Sequence, residues 1–213
     1  HGDDFTTLGR EAELDWLASK FREKFKIKVR GILGPDPKDC KQITLLNRVL
    51  TWGPGGISFE ADQRHVEILL KALDYESVKG VVTPGVAESE SKVEESDSVP
   101  LSPDRATMYR ACAARCNFLA LDRPDIQFAS KEVSRDMSNP THGSLKKMHR
   151  LARYLKQHPR TILYYEHQDI PNKLDIFSDS NWAGCLRTRK STQGGGCMLG
   201  QHCVKTWSST QAI

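Results

Sequence analysis

The sequence predicts a mixed α/β fold of the α+β kind, with a helical bundle set between two strand-rich stretches. Three observations carry that prediction. The apolar spacing switches between the helical and the strand period along the 213 residues. An acidic Ser/Pro-rich run at residues 85–104 divides the chain. Beyond it, three helical patterns are followed by short alternating runs with turn signals between them.

The elements follow in order. Leu14, Leu17, Phe21 and Phe25 recur at helical spacing. Phe25, Ile27 and Val29 then alternate with Lys26, Lys28 and Arg30, which predicts a half-buried strand. Two short runs, at 48–52 and 57–60, flank Gly53-Pro54-Gly55-Gly56 and predict a hairpin. Asp62 is placed to cap a helix whose apolar positions are Val66, Leu69, Leu70 and Leu73. Pro84-Gly85 then opens the acidic run of Glu88, Glu90, Glu94, Glu95 and Asp97 among serines, closed by Pro100 and Pro103. With so little to bury and so much like charge, that run reads as a linker.

Past the linker, Tyr109, Cys112, Cys116 and Leu119 mark one helix face, and Ile126, Ala129, Val133 and Met137 a second, with Pro124 in its first turn. Leu145, Met148, Ala152 and Leu155 mark a third, which Pro159 ends. Three short helices with short connections make a bundle. Residues 174–179, 194–199 and 202–207 read as an antiparallel meander turning at Gly200-Gln201. A three-stranded sheet of this kind leaves one face unpacked.

Composition narrows the function classes. No apolar run reaches 18 residues, so no membrane-spanning segment is expected. His1-Gly2-Asp3-Asp4 is neither an initiator Met nor a leader, and the chain reads as an internal piece of something longer. The net charge of +4 hides an asymmetry. Residues 1–100 carry 14 Lys and Arg against 18 Asp and Glu, whereas residues 101–213 carry 17 against 9. A basic C-terminal half fits a polyanion partner or a solvated basic surface. The six cysteines, Cys40, Cys112, Cys116, Cys185, Cys197 and Cys203, form no C-x2-C pair and read as reduced thiols.

Three candidate sites emerge. Asp3-Asp4 can converge on Mg2+, which takes hard oxygen ligands, although a solvated turn is the plainer reading of an isolated Asp-Asp pair. Asp179 ends a strand beside Trp182-Ala183-Gly184, where a carboxylate can hold a metal for phosphodiester chemistry or simply close a turn. Asp175 stands four residues before it, and two acids are too few for a two-metal site. The third candidate is the basic helix. Lys146, Lys147, Arg150 and Arg153 share much of one face beside Tyr154, with His142, His149 and His158 as further donors. No acid lies between Asp136 and Glu166, so the face has no local neutralising partner and suits phosphate contact.

The order of these features resembles the Pol polyprotein of copia-type retrotransposons. The residues that carry it are His1-Gly2-Asp3-Asp4-Phe5, Thr83-Pro84, Arg123-Pro124-Asp125-Ile126, Arg153-Tyr154-Leu155-Lys156, Ser178-Asp179-Ser180-Asn181-Trp182-Ala183-Gly184-Cys185, Arg189-Lys190-Ser191-Thr192 and Trp207-Ser208-Ser209-Thr210-Gln211. Each is weak alone; together, in order, they cover the whole chain.

The resemblance implies a reverse transcriptase joined to ribonuclease H. Residues 1–84 would be the later part of the polymerase palm, 85–104 the linker, 105–158 a three-helix thumb and 159–213 the opening antiparallel strands of a truncated ribonuclease H-like domain. Asp3 would be a catalytic Mg2+ ligand with Asp4 its neighbour, and Asp179 the first ribonuclease H carboxylate and a metal ligand. The primer-holding hairpin would fall at residues 48–59. The implied partners are an RNA template, a DNA primer, RNA–DNA hybrid and the remainder of the polyprotein, in a cytoplasmic particle or the nucleus. The sequence departs from the family pattern at His1, at Gln157-His158 and at Asn181. The other polymerase Asp and the fingers would precede His1, and the other ribonuclease H acids would follow Ile213, so the piece alone is expected to be inactive. A non-catalytic nucleic-acid-binding module and a decayed remnant of such an element are the rival readings.

Overall fold

The computed structural model describes residues 5–75, 77–86, 95–186 and 188–211. It contains five α-helices and two antiparallel sheets among those residues: α1 (Glu11–Lys24), β1 (Gln42–Leu45), β2 (Arg48–Gly53), β3 (Gly56–Glu60), α2 (Arg64–Ala72), α3 (Pro103–Leu119), α4 (Gln127–Ser134), α5 (His142–Gln157), β4 (Ile162–Glu166), β5 (Leu174–Ser180), β6 (Thr192–Leu199) and β7 (His202–Thr210). None of these helices is long and apolar enough to cross a membrane.

The core is helical. Tyr109, Cys112, Cys116 and Leu119 of α3, Ala129 and Val133 of α4, and Leu145, Met148, Leu151, Ala152 and Leu155 of α5 are buried together, and Ile126 joins them. Val66 and Leu69 of α2 enter the same cluster, so the expected three-helix bundle has four members. Apolar residues three and four apart fall on one helix face, and each helix turns that face inward. Pro124 lies in a 3-10 turn, Pro124–Ile126, and α4 proper starts at Gln127. Asp62 accepts from the Arg64 backbone N–H at 2.9 Å but stands one residue ahead of the N-cap, Gln63, so the expected cap at Asp62 is displaced by one residue.

The first sheet has the order β1-β2-β3-β4. Leu46 and Asn47 both take positive φ, the conformation of a two-residue hairpin turn, and this added β1 to the expected hairpin. A Cβ on Gly56 would collide with the Tyr165 carbonyl, so glycine lets β3 and β4 approach. β4 follows α5 in the chain yet pairs Leu163 with Phe59 and Tyr165 with Ile57. The bundle therefore departs from this sheet and returns to it.

Two expectations are corrected here. Residues 26–30 form no strand: backbone pairing starts only where Cys40 N–H donates to the Ile32 carbonyl at 2.9 Å. Alternation assigns faces but supplies no partner strand. The linker is also shorter than expected. Glu95–Ser98 forms a 3-10 turn, the Val99 carbonyl accepts from His142 N–H, and Leu101 is buried. Residues 87–94 lie outside the described residues.

The second sheet is the expected meander, β5-β6-β7, turning at Gly200 with φ 60°. Leu174 and Ile176 on one face and Phe177 on the other are more than half exposed, so packing covers little of β5. The sheet meets the bundle at α4. Gln127 donates to the Thr206 carbonyl at 3.3 Å, Lys131 to Thr192 Oγ1 at 2.6 Å, and Arg135 to Cys185 Sγ at 2.7 Å.

Candidate nucleic-acid interface

The basic helix is α5. Thr141 Oγ1 accepts from the Ser144 N–H and Ser144 Oγ from the Thr141 N–H, a reciprocal cap that fixes the helix start. With its apolar stripe held in the core, the cations fall on the remaining surface. There the structure corrects the expectation of an unneutralised face. Lys146 Nζ pairs with Asp97 at 2.7 Å, and Lys147 Nζ lies 3.9 Å from Glu132. Both acids come from other elements, one from the docked end of the linker and one from α4. A local scan of the sequence cannot find them.

The next turns of α5 are different. Arg150 donates to Thr83 Oγ1 at 2.6 Å, Arg153 to the Lys79 carbonyl at 2.8 Å, and Lys156 to the Val78 carbonyl at 2.6 Å. Residues 78–83 thus run as a strap along three cations spaced three apart. Each side chain donates to an uncharged oxygen, and among the described residues none of the three pairs with a carboxylate. Arg150 Nε is buried with no acceptor among the described residues. The four predicted side chains therefore split into a pair set against carboxylates, Lys146 and Lys147, and a pair held by uncharged oxygens under the strap, Arg150 and Arg153.

Glu132 collects cations on α4. Lys131 is 2.5 Å away, Arg135 3.2 Å and Lys147 3.9 Å. Burial pushes its carboxyl pKa up, but these three cations outweigh burial and hold it below the usual range.

Arg123 was given no role by sequence reasoning beyond its place in a motif. It is 1% exposed. Its fork bonds Asp125 through Nε (3.0 Å) and Nη2 (2.7 Å), while Nη2 also donates to the His158 carbonyl. Tyr154 of α5 donates to the same Asp125 carboxylate at 3.0 Å. The Arg-Pro-Asp-Ile and Arg-Tyr-Leu-Lys motifs are thereby one physical unit that clamps the end of α5 to the start of α4.

Asp179 stands exposed at the end of β5, with Oδ1 accepting from Ser180 N–H at 2.8 Å. The turn beyond it is tied down by Asn181, whose Oδ1 accepts from Thr192 N–H at 2.6 Å, and by Ser191 Oγ, which accepts from Ala183 N–H at 3.0 Å. Cys185 packs beneath. Burial raises its thiol pKa, but hydrogen bonds from Thr188 and Arg135 overcome this and bring it to about 7. Asp175 is bonded to Lys173 at 2.6 Å. Four residues of strand put it about 13 Å from Asp179, too far to share an ion. Among the described residues no group of three His, Cys, Asp or Glu side chains could hold a metal, so those residues alone do not fit an Mg2+ site at Asp179. Asp3 and Asp4 lie outside the described residues.

Comparison with known proteins places the chain. An uncharacterized mitochondrial protein of Arabidopsis thaliana, AtMg00810, is 31% identical over 158 residues, covering 73% of this chain and 62% of that protein. The retrovirus-related Pol polyprotein from transposon RE1 of the same plant is 30% identical over 208 residues, 98% of this chain and 13% of the polyprotein. That from transposon RE2 is 28% identical over 212 residues, again 13% of its length. The chain thus spans a small part of each Pol polyprotein and under two thirds of the mitochondrial relative. No family model and no solved structure matches. An alignment running nearly end to end through this chain, together with the order of the motifs, makes it a homologue of one segment of the retrovirus-related Pol polyproteins from transposons RE1 and RE2.

Proposed function

We propose that the chain is the part of a copia-type reverse transcriptase–ribonuclease H running from the palm's paired aspartates through the thumb to the first ribonuclease H strands. In the intact polyprotein it would serve RNA-templated DNA synthesis and transposition. Its own contribution is to hold the backbone of template–primer or RNA–DNA hybrid, and it is inactive as a polymerase or nuclease by itself. In the intact polyprotein Asp3 and Asp179 would be Mg2+ ligands together with further carboxylates.

The observation that carries this reading is the charge left on α5. Arg150, Arg153 and Lys156 are held by uncharged oxygens. A row of cations that pairs with no carboxylate among the described residues attracts phosphates by counterion release, without regard to base sequence. The experiment is fluorescence anisotropy of the chain with labelled RNA–DNA hybrid across a salt series. Affinity should fall linearly on a log–log plot and differ little between unrelated sequences. Salt-independent binding, or none at low salt, would remove the reading.

A further inference from the structure

Thr83 stands exposed on the strap immediately before Pro84, and its hydroxyl oxygen accepts from Arg150 Nη2 at 2.6 Å. The proposed function makes no use of this Thr-Pro pair. A proline biases the residue before it toward extended backbone, the form in which a kinase cleft holds a peptide.

Arg150 offers more than the hydroxyl takes. A guanidinium presents Nε–H and Nη2–H side by side, an edge shaped for two oxygens of one anion. Arg123 shows that edge filled, with Nε on Asp125 Oδ1 at 3.0 Å and Nη2 on Oδ2 at 2.7 Å. On Arg150 the threonine takes Nη2 alone, and Nε is buried with no acceptor among the described residues. A hydroxyl has one oxygen to give, whereas a phosphoryl group on it brings three strong acceptors. Arg153 and Lys156 hold the Lys79 and Val78 carbonyls, so two further cations line the same strap. The acids Asp97 and Glu132 are set against Lys146 and Lys147, on the preceding turn.

We infer that Thr83 is a phosphorylation site, whose phosphate closes the strap onto Arg150 and cancels charge on α5. The donor is ATP, delivered by a proline-directed protein kinase. Thr83 Oγ1 attacks the γ-phosphorus, and the bond from that phosphorus to the β–γ bridging oxygen breaks. ADP leaves with the electron pair, and the hydroxyl proton passes to the kinase's base. The product carries about −1.5 to −2 charges near neutral pH. Its oxygens complete the Arg150 edge, and its charge offsets Arg150 and Arg153. A phosphate held by the strap occupies donors that a nucleic-acid phosphate needs, so modification switches this surface off. The switch rests on the nucleic-acid reading above; the clamp between Thr83 and Arg150 does not.

The test treats the whole 213-residue chain with ATP and a proline-directed kinase, maps the label by mass spectrometry and titrates the phosphate by phosphorus NMR. Label should fall on Thr83. Thr83→Val assigns its resonance and separates it from any label on Ser102-Pro103, the other hydroxyl–proline pair in the chain. In the folded chain the phosphate should titrate below its ordinary value of about 6, because the guanidinium favours the dianion. The same sample in urea should return to that value, a comparison that needs no variant. Arg150→Ala should move the folded value toward the urea value. Arg150→Lys keeps the charge but not the two-donor edge and should fall between. Phosphorylation should lower affinity for RNA–DNA hybrid about tenfold and the log–log salt slope by roughly 2. No label on Thr83, or a phosphate that titrates alike folded and in urea, overturns the site. A clamped phosphate with hybrid binding unchanged overturns the switch. If the phosphate is clamped but the unmodified chain binds no hybrid, the nucleic-acid reading falls and the clamp stands.

Discussion

The guanidinium of Arg123 and the carboxylate of Asp125, two residues apart, form a two-bond fork in which the arginine is almost wholly buried. Such a pair can be neutral relative to apolar packing while it is intact, yet costly to break on one side. Arg123→Ala would remove both guanidinium bonds to Asp125, leaving it the Tyr154 hydroxyl, and would strip the His158 carbonyl of its Arg123 donor. The expected loss is about 3–5 kcal/mol of bundle stability, read as a lower urea midpoint.

Acid should weaken the fold in two stages. Burial lowers the pKa of His149 below its usual value, with Arg105 adding to the effect. The unfolded chain therefore binds that proton more readily, and stability present above about pH 6.5 is lost as pH falls through the depressed value. Asp125 is pushed up by burial but held down more strongly by Arg123 and Tyr154, for a net depression. Its contribution is present above about pH 4 and lost below it. Urea midpoints from pH 8 to pH 3 should show both declines. His149→Phe should make the first shallower, with burial-depressed His65 supplying the remainder, and leave the second.

The split on α5 gives a paired comparison. Arg150→Ala with Arg153→Ala should reduce the log–log salt slope for RNA–DNA hybrid by roughly 2. Lys146→Ala with Lys147→Ala should reduce it less, because Asp97 and Glu132 already balance those lysines. Equal slopes for the two double variants would mean that the pairing carries no weight in solution.

If phosphates replace the strap's oxygens on Arg150, Arg153 and Lys156, amide exchange at residues 78–83 should quicken when hybrid binds. Exchange unchanged at saturation would mean that the nucleic acid sits elsewhere.

Primer extension on an RNA template should be absent for the chain alone, with or without added Mg2+. Incorporation abolished by Asp3→Asn with Asp4→Asn would contradict this directly.

The helices were legible because burial imposes a period. Tyr109, Cys112, Cys116 and Leu119 could be read straight off the sequence as a buried face. β4 was not legible, since five residues that pair only with β3, across the whole bundle, leave no local signal of their partner. For the same reason the acids opposite Lys146 and Lys147 escaped notice. The strand that ends at Asp179 and Ser180 was legible from its alternation. A cleft between that strand end and α4 was invisible, because its lining residues Phe128 and Gly194 come from elements far apart in sequence and became neighbours only through α4 meeting the sheet.

The return of β4 to β3 has a consequence for any attempt to cut the chain in two. A Glu-specific protease should act first at Glu88, Glu90 and Glu94, where the sequence offers least to bury. The resulting pieces will not part on a sizing column. β3 and α2 lie on the N-terminal piece while β4 and helices α3–α5 lie on the other, so the break leaves a five-residue ladder and a shared apolar cluster bridging it. A nicked sample should elute as one species in native buffer and as two in urea. Expressed as two separate polypeptides divided within residues 87–94, the halves should find each other and assemble, whereas a division after Gln157 would strip β3 of its neighbour and leave its edge open to other strands.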